Sequence, residues 1–381
     1  MSTHPLLRYW WHGQLEGSPE ALIAWSRSVR LLPLLGWRAQ ERGWPLPDDL
    51  LQAARRERYA ETARQQLAHA QLQTLAALAT EKDFTPLIVK GPVVAAAYPD
   101  PALRTYNDLD LLLPAEQAEP FMAALLRSGY SAFADGQRSY HLPPLRPPQQ
   151  GYNVEIHTTL RHESDASGFT FAELSEVMCP WKVAPGLFVL EPVFHALYLV
   201  YHQLERHQLS LGVLPLADLY FWTRGWTGVE WATLAKQAAA TQLERSVRLA
   251  LALTAWFWDE PWPTWVSERF PPPEPGVLDL GKQLVVGELG GRTPRLWRDL
   301  PEKSVRGWLR YGWLLLRGNP DALRSLSWSQ RLRFYLLRPF SLLKFHGPTL
   351  WRLLRGDRRT RATLHAQDML TDWLKGPRQD S

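Results

Sequence analysis

The sequence predicts an α+β protein, with a small strand-and-helix unit set between two helical regions. Three observations carry this. Residues 19–40 and 48–80 are rich in Ala, Leu, Arg, Glu and Gln, with apolar positions three and four apart. At residue 86 the pattern changes to short β-type runs alternating with helical ones. After residue 190 the helical period returns and holds to the end.

The elements follow in order. Pro45 and Pro47 separate the first two helical segments, and Asp48 and Asp49 are offered as the N-terminal cap of the second. PLIVK (86–90) reads as a strand, and GPVVAAAY (91–98) as a helix with Pro92 in its first turn. The turn PDPALRTYN (99–107) leads to a second strand, DLDLLL (108–113), and then to a helix over 115–130. A polar, Pro-rich stretch (134–150) precedes a third strand, GYNVEIHTTL (151–160). Helices are expected at about 191–208, 213–225, 228–239 and 241–258. PPPEPG (271–276) is a stiff breaker, and the last 90 residues read as Arg-bearing amphipathic helices broken at Gly318–Pro320 and Gly347–Pro348. No internal repeat is visible. The division predicted is 1–80 helical, 81–190 α/β core, 191–270 a helical domain on the core, and 271–381 a basic Trp/Arg-rich region.

Composition excludes several classes. With 45% hydrophobic and 21% charged residues, the 381-residue chain is a globular rather than a disordered sequence. A single cysteine, Cys179, excludes an intrachain disulfide and fits a reducing, cytoplasmic setting. The N-terminus lacks a basic start followed by an apolar run, so no signal peptide is expected, and no uninterrupted apolar stretch is long enough to span a membrane. The net charge of +5 is unevenly spread. Residues 291–381 hold 19 Lys and Arg against 7 Asp and Glu, a net of +12 that leaves −7 for the remainder. That basic quarter fits either a solvated helical face or an anionic partner, a nucleic acid or a membrane surface. The nineteen Trp, many beside Leu and Arg, read first as core filler between helices.

The chemistry lies in the strands. Residues i and i+2 of a strand share a face, so Asp108 and Asp110 project together while Leu109 and Leu111 point the other way. Two carboxylates so placed repel unless a cation lies between them or one is protonated. A divalent metal resolves this, and Mg²⁺ takes carboxylates together with substrate phosphates. Glu155 and His157 repeat the i, i+2 geometry in NVEIH. If the two strands are neighbours, Glu155 joins the pair, and three carboxylates on adjacent strands suit two-metal phosphoryl transfer. Lys90–Gly91 closes a strand and opens a helix, a place where backbone N–H groups meet phosphates, and Arg104 is a second candidate phosphate ligand.

The ordered set IVKGPVVAAAYPDPALRTYNDLDLLLP, then VEIH, resembles the uncharacterised nucleotidyltransferase family of the polymerase-β-like superfamily. The resemblance spans about residues 60–260 and is strongest over 87–114. It implies a minimal nucleotidyltransferase core with a short mixed sheet, helices covering one face, and helical regions before and after. It makes Asp108, Asp110 and Glu155 the ligands of Mg²⁺ or Mn²⁺, with an NTP as substrate and Lys90 and Gly91 on its phosphates. Here the chain differs from better-known relatives: no Ser follows Gly91, and Pro92 removes an N–H donor. The resemblance also matches His202 and Asp218 to a His and an Asp of two successive helices. These read either as a lining of the nucleotide or acceptor cleft or as a buried His satisfied by a carboxylate. His195 lies seven residues before His202, on the same face of a regular helix. His157 shares the carboxylate face, where it would orient a carboxylate or meet a phosphate. The implied reaction is NMP transfer to an unidentified acceptor, a small molecule, peptide, sugar or RNA. The alternative is a nucleotide-binding or scaffold component of a biosynthetic cluster.

Overall fold

The computed structural model describes residues 5–132, 142–160, 169–287, 313, 316–317 and 328–376. The expected break at Gly318–Pro320, and much of the basic C-terminal segment, lie outside the described residues.

Two compact units result. The first comprises residues 1–133, 140–202 and 213–273, and the second 134–139, 203–212 and 274–381. The first begins with helices α1 (Pro5–His12), α2 (Pro19–Ser28), α3 (Leu32–Glu41) and the long α4 (Asp48–Glu81). The segment 19–40 is thus two helices, parted by a turn with Arg30 in the left-handed region at φ 59°. Pro47, not an aspartate, occupies the cap position of α4, and no side chain caps it. Asp48 and Asp49 fall inside the first turn, where their charge still favours the helix dipole.

Among the described residues the sheet has seven strands, ordered β3-β4-β5-β2-β1-β7-β6. They are β1 (Leu87–Val89), β2 (Asp108–Leu112), β3 (Ser131–Ala132), β4 (Leu145–Arg146), β5 (Asn153–His157), β6 (Met178–Pro180) and β7 (Phe188–Leu190). The sheet is mixed: β2 runs antiparallel to β1 and parallel to β5. Between the strands lie α5 (Gly91–Ala95), a 3₁₀ turn (Pro101–Leu103), α6 (Ala115–Arg127) and α7 (Phe171–Ser175).

Alternation along β2 and β5 divides the sheet into an apolar and a polar face. Leu109, Leu111, Val154 and Ile156 join Ile88 in a core closed by Leu72, Leu75 and Ala79 of α4 and Phe121 and Leu125 of α6. Each such aliphatic side chain stabilises the fold by roughly 1.5–3 kcal/mol, which fixes the register of both strands and so the direction of the residues between them.

The first unit continues with α8 (Pro192–Tyr201), α9 (Leu214–Thr223), α10 (Gly228–Ala240), α11 (Glu244–Trp258) and α12 (Thr264–Arg269). Trp10, Trp231 and Trp258 are buried in its core, as read from the sequence for Trp, whereas Trp265 and Tyr59 are exposed. Trp10 stacks on Phe257 at 4.6 Å, and the Trp10 and Trp11 indoles both donate to the Phe257 carbonyl. Arg38 lies buried over the Trp10 and Trp258 rings and donates to the carbonyls of both residues. Burial first, then Arg42, lowers its pKa to about 10.

The second unit contains α13 (Pro275–Val286), α14 (Trp328–Leu354) and α15 (Arg358–Lys375). α14 runs unbroken through Gly347–Pro348, where the sequence predicts a break. Pro348 has no N–H to give to the helix, yet the helix continues through it, because one missing backbone bond does not end a segment of 27 residues. No described helix is long and apolar enough to cross a membrane.

Candidate active site

Asp110 pairs directly across the parallel ladder with Glu155, and across the antiparallel ladder with Val89, the residue before Lys90. The strand adjacency on which the sequence reading depended therefore holds. Glu155 is brought to Asp110 from β5, and Lys90 from β1.

Three ligand atoms, one each from Asp110, Glu155 and His157, lie within 4.8 Å of one another. His157 Nε2 is 2.9 Å from Asp110 Oδ1 and 3.8 Å from Glu155 Oε2. On the other side, Lys90 Nζ is 3.0 Å from Asp110 Oδ2 and 3.2 Å from His202 Nε2. Asp108 shares the face but stands outside that group of three. Two carboxylates and an imidazole suit a divalent ion, and the nitrogen ligand suits Mn²⁺ better than Mg²⁺.

The electrostatics separate the two aspartates. Burial alone would raise Asp110, but Lys90 and His157 outweigh it and hold its carboxyl well below the usual range. Burial, reinforced by the charge of Asp110, raises Asp108. Burial alone would lower Lys90, yet Asp110 and Asp108 keep its ammonium above its ordinary range. The cation is held in place by an uncommon backbone: Lys90 adopts φ 55° and ψ −142°, and Gly91 φ 35°. A non-glycine residue in so sparsely populated a region costs about 1–3 kcal/mol, and such positions cluster at functional sites.

Arg104 and Asp218 have a different place from the one read in the sequence. Arg104 Nε and Nη2 each lie 2.8 Å from an oxygen of Asp218, and Nη1 is 3.4 Å from the Gly91 carbonyl. With all three nitrogens engaged inside the protein, Arg104 braces the Lys90–Gly91 turn and α9 rather than presenting itself to a phosphate. Tyr98 Oη also donates to Asp218, at 2.6 Å. The partners of Asp218 are thus Arg104 and Tyr98, and His202 meets Lys90 instead. His195 and His202 keep their i, i+7 relation, since the His202 N–H still donates to the Tyr198 carbonyl at the end of α8, and a π-helical turn then runs from His202 to Arg206. His195 is fully buried, its ring centroid 4.5 Å from that of Trp222, with no hydrogen bond to either nitrogen among the described residues.

The family model described as "Uncharacterised nucleotidyltransferase" matches residues 16–259. The chain belongs to this uncharacterised nucleotidyltransferase family. Membership assigns nucleotidyl transfer in general terms, with an NTP as substrate, and the acidic group on β2 and β5 lies within the matched span. The match begins before α2 and ends at Asp259, the residue capping α11, so α12, α13, α14 and α15 lie beyond it. A search of curated proteins gives no match.

Sequence reasoning missed Tyr98, the partner of Asp218, and the contact of His202 with Lys90. Tyr98 had a signal, since it begins the YPDP turn. The Lys90–His202 pair had none, because 112 residues separate its members.

Proposed function

We propose that the protein transfers an NMP from an NTP to an acceptor, with Asp108, Asp110 and Glu155 holding Mg²⁺ or Mn²⁺. The observation that carries this is the registration of Asp110 against Glu155, which gathers carboxylates from strands 45 residues apart in the chain on one polar face. When bound, the divalent ion supplies neutralising charge for the phosphates.

The chain's own residues do the rest. His157 fixes the orientation of Asp110 through their 2.9 Å contact. Lys90, and the N–H of Gly91, hold the nucleotide phosphates, and Arg104 and Asp218 keep that turn in shape. Glu155, the more exposed carboxylate of the facing pair, takes the proton of an acceptor hydroxyl as its oxygen bonds to the α-phosphorus. The bond from the α-phosphorus to the bridging oxygen breaks, and pyrophosphate leaves. Catalysis rests on positioning and charge neutralisation. The test is NMP transfer by Asp108→Asn and Asp110→Asn with each labelled NTP, Mg²⁺ and a cell extract as acceptor source. Both variants should lose transfer, and wild-type turnover in both overturns the assignment.

A second reading is favoured by Lys90. Its ammonium already neutralises Asp110, and Pro92 removes a donor from the turn. On that reading the chain is a nucleotide-binding or scaffold component. Calorimetry separates the two: absence of NTP binding in Mg²⁺ selects the scaffold.

α14 suggests an anionic membrane surface as partner, placing a cytoplasmic protein at the membrane periphery. Its 27 residues hold five basic and no acidic side chains, with Trp328, Phe340, Leu343 and Trp351 exposed. Co-sedimentation of the full chain with anionic but not neutral vesicles is the expected result.

A further inference from the structure

The first unit contains a second polar feature beside the carboxylates. A cavity of about 310 Å³ is walled by the end of α2, by α4, and by the segment entering β2. Its lining includes Arg27, Arg30 and Arg64 with Glu57 and Glu61, together with Thr105 and Asn107, the residue before Asp108.

The charges in this cavity are not equivalent. Arg27 is paired with Glu57 at 2.9 Å. Arg64 is paired with Glu61 at 3.2 Å and donates to the Tyr106 carbonyl. Arg30 forms no hydrogen bond or ion pair through its guanidinium among the described residues, although it is close enough to favour the ionised form of Asp108. Thr105, 7% exposed, has a buried hydroxyl with no partner among the described residues. A buried hydroxyl left unpaired costs free energy that a ligand recovers. The cavity therefore offers a solvent-exposed guanidinium and, in its wall, a buried hydroxyl, both without a partner among the described residues.

Joining a nucleotide to an acceptor requires two binding places near the carboxylates. Lys90 and Gly91 come from β1 and α5, whereas this cavity is built from the N-terminal helices α2 and α4. We infer that the cavity seats the acceptor, and that the acceptor carries an anionic oxygen group, a phosphate or a carboxylate, bound by Arg30 and the Thr105 hydroxyl. This rests on the nucleotidyl-transfer reading. The guanidinium–oxyanion pair supplies charge and paired donors, and the negative group would hold the nucleophile of the acceptor toward Asp108.

Arg30 permits a clean test. Its φ of 59° is a conformation that favours glycine. Arg30→Gly therefore removes the guanidinium and relieves the backbone, so its unfolding midpoint should not fall. Thr105→Val is the second variant. Inorganic phosphate and malonate are titrated separately into the metal-free full chain by calorimetry, and Mg²⁺–ATP is titrated in a parallel set. At least one anion should bind the wild type, and Arg30→Gly should weaken it tenfold or more while changing Mg²⁺–ATP affinity less than threefold. Which anion binds tells phosphate from carboxylate. The inference is overturned if neither anion binds, if Arg30→Gly binds as the wild type does, or if it weakens Mg²⁺–ATP as much as the anion. Arg30-dependent anion binding in a chain that binds no Mg²⁺–NTP overturns the transfer reading and the acceptor role with it, leaving an anion site alone.

Discussion

Asp110 and Asp218 belong to the same unit, are 6% and 4% exposed, and each meets a cation, the half-buried Lys90 and the buried Arg104 respectively. Their partners differ. Asp218 is gripped by both forward nitrogens of Arg104 and by the Tyr98 hydroxyl. Asp110 faces Lys90 and His157, with Glu155 alongside and Asp108 two residues before it. A planar guanidinium that never loses its proton makes a permanent pair. An ammonium on a flexible stem and an imidazole can both be exchanged. The first arrangement is a brace. The second groups ligand atoms of the kind a metal ion takes.

The largest expected effect is on the brace. Arg104→Ala leaves Asp218 buried with only Tyr98, and removing one partner of a buried pair costs about 3–5 kcal/mol. Urea unfolding followed by tryptophan fluorescence should show that loss. Arg104→Met with Asp218→Leu should recover most of it, because an apolar pair of similar volume leaves no charge unmatched. If the double variant stays as unstable as the single, Asp218 does more than brace.

Metal addition comes next. Mn²⁺ or Mg²⁺ at a hundred times its dissociation constant should stabilise the wild type by about 2.7 kcal/mol. Asp110→Asn should lose this response. A response of equal size in the variant would remove Asp110 from the metal site.

His195 lies within electrostatic reach of both clusters. Burial first, then Arg104 and Lys90, lowers its pKa to about 3. It is therefore neutral in the folded chain and gains a proton on unfolding below its ordinary pKa. Stability from this source is complete above about pH 6.5 and is lost as pH falls toward 3, with about 2 kcal/mol gone at pH 5. Asp110 is depressed rather than raised, so its contribution disappears only below about pH 4. His195→Leu should flatten the stability profile between pH 6.5 and 4.5 and leave the lower limb intact. An unchanged slope in that window would show that His195 finds a partner in solution.

What the sequence disclosed, and what it concealed, follows from the range of the interactions. β2 and β5 were legible because alternation is local: Leu109 and Ile156 announce one face, and Asp108, Asp110, Glu155 and His157 the other. The two-residue strands β3 and β4 were not, since too few residues carry a period and tertiary pairing forms them. Arg104 was legible as important and misplaced as a phosphate ligand. Its partner Asp218 is 114 residues away, and an arginine beside an Asp-x-Asp pair carries no mark of the direction it points. Arg30 gave no signal at all, because its interest lies in a left-handed backbone and a cavity wall.

The smallest effect sharpens the comparison most, because its sign is opposite. Asp108 is raised by burial and by the charge of Asp110, so the folded state holds its proton more tightly than the unfolded chain does. Stability from this group falls as pH rises through the ordinary carboxyl range near 4 and stays lower above its raised pKa. At pH 7 in EDTA, Asp108→Asn should therefore be more stable than the wild type by about 1 kcal/mol, the usual gain from relieving a strained functional group. Asp218→Asn, which weakens a permanent pair, should be less stable under the same conditions. Saturating Mn²⁺ should reverse the order for Asp108, since only the wild type then gains metal binding. Transfer should be lost in Asp108→Asn although the fold has gained. If Asp108→Asn is instead destabilised in EDTA, its carboxylate is a structural partner like Asp218, and the site reduces to Asp110, Glu155 and His157.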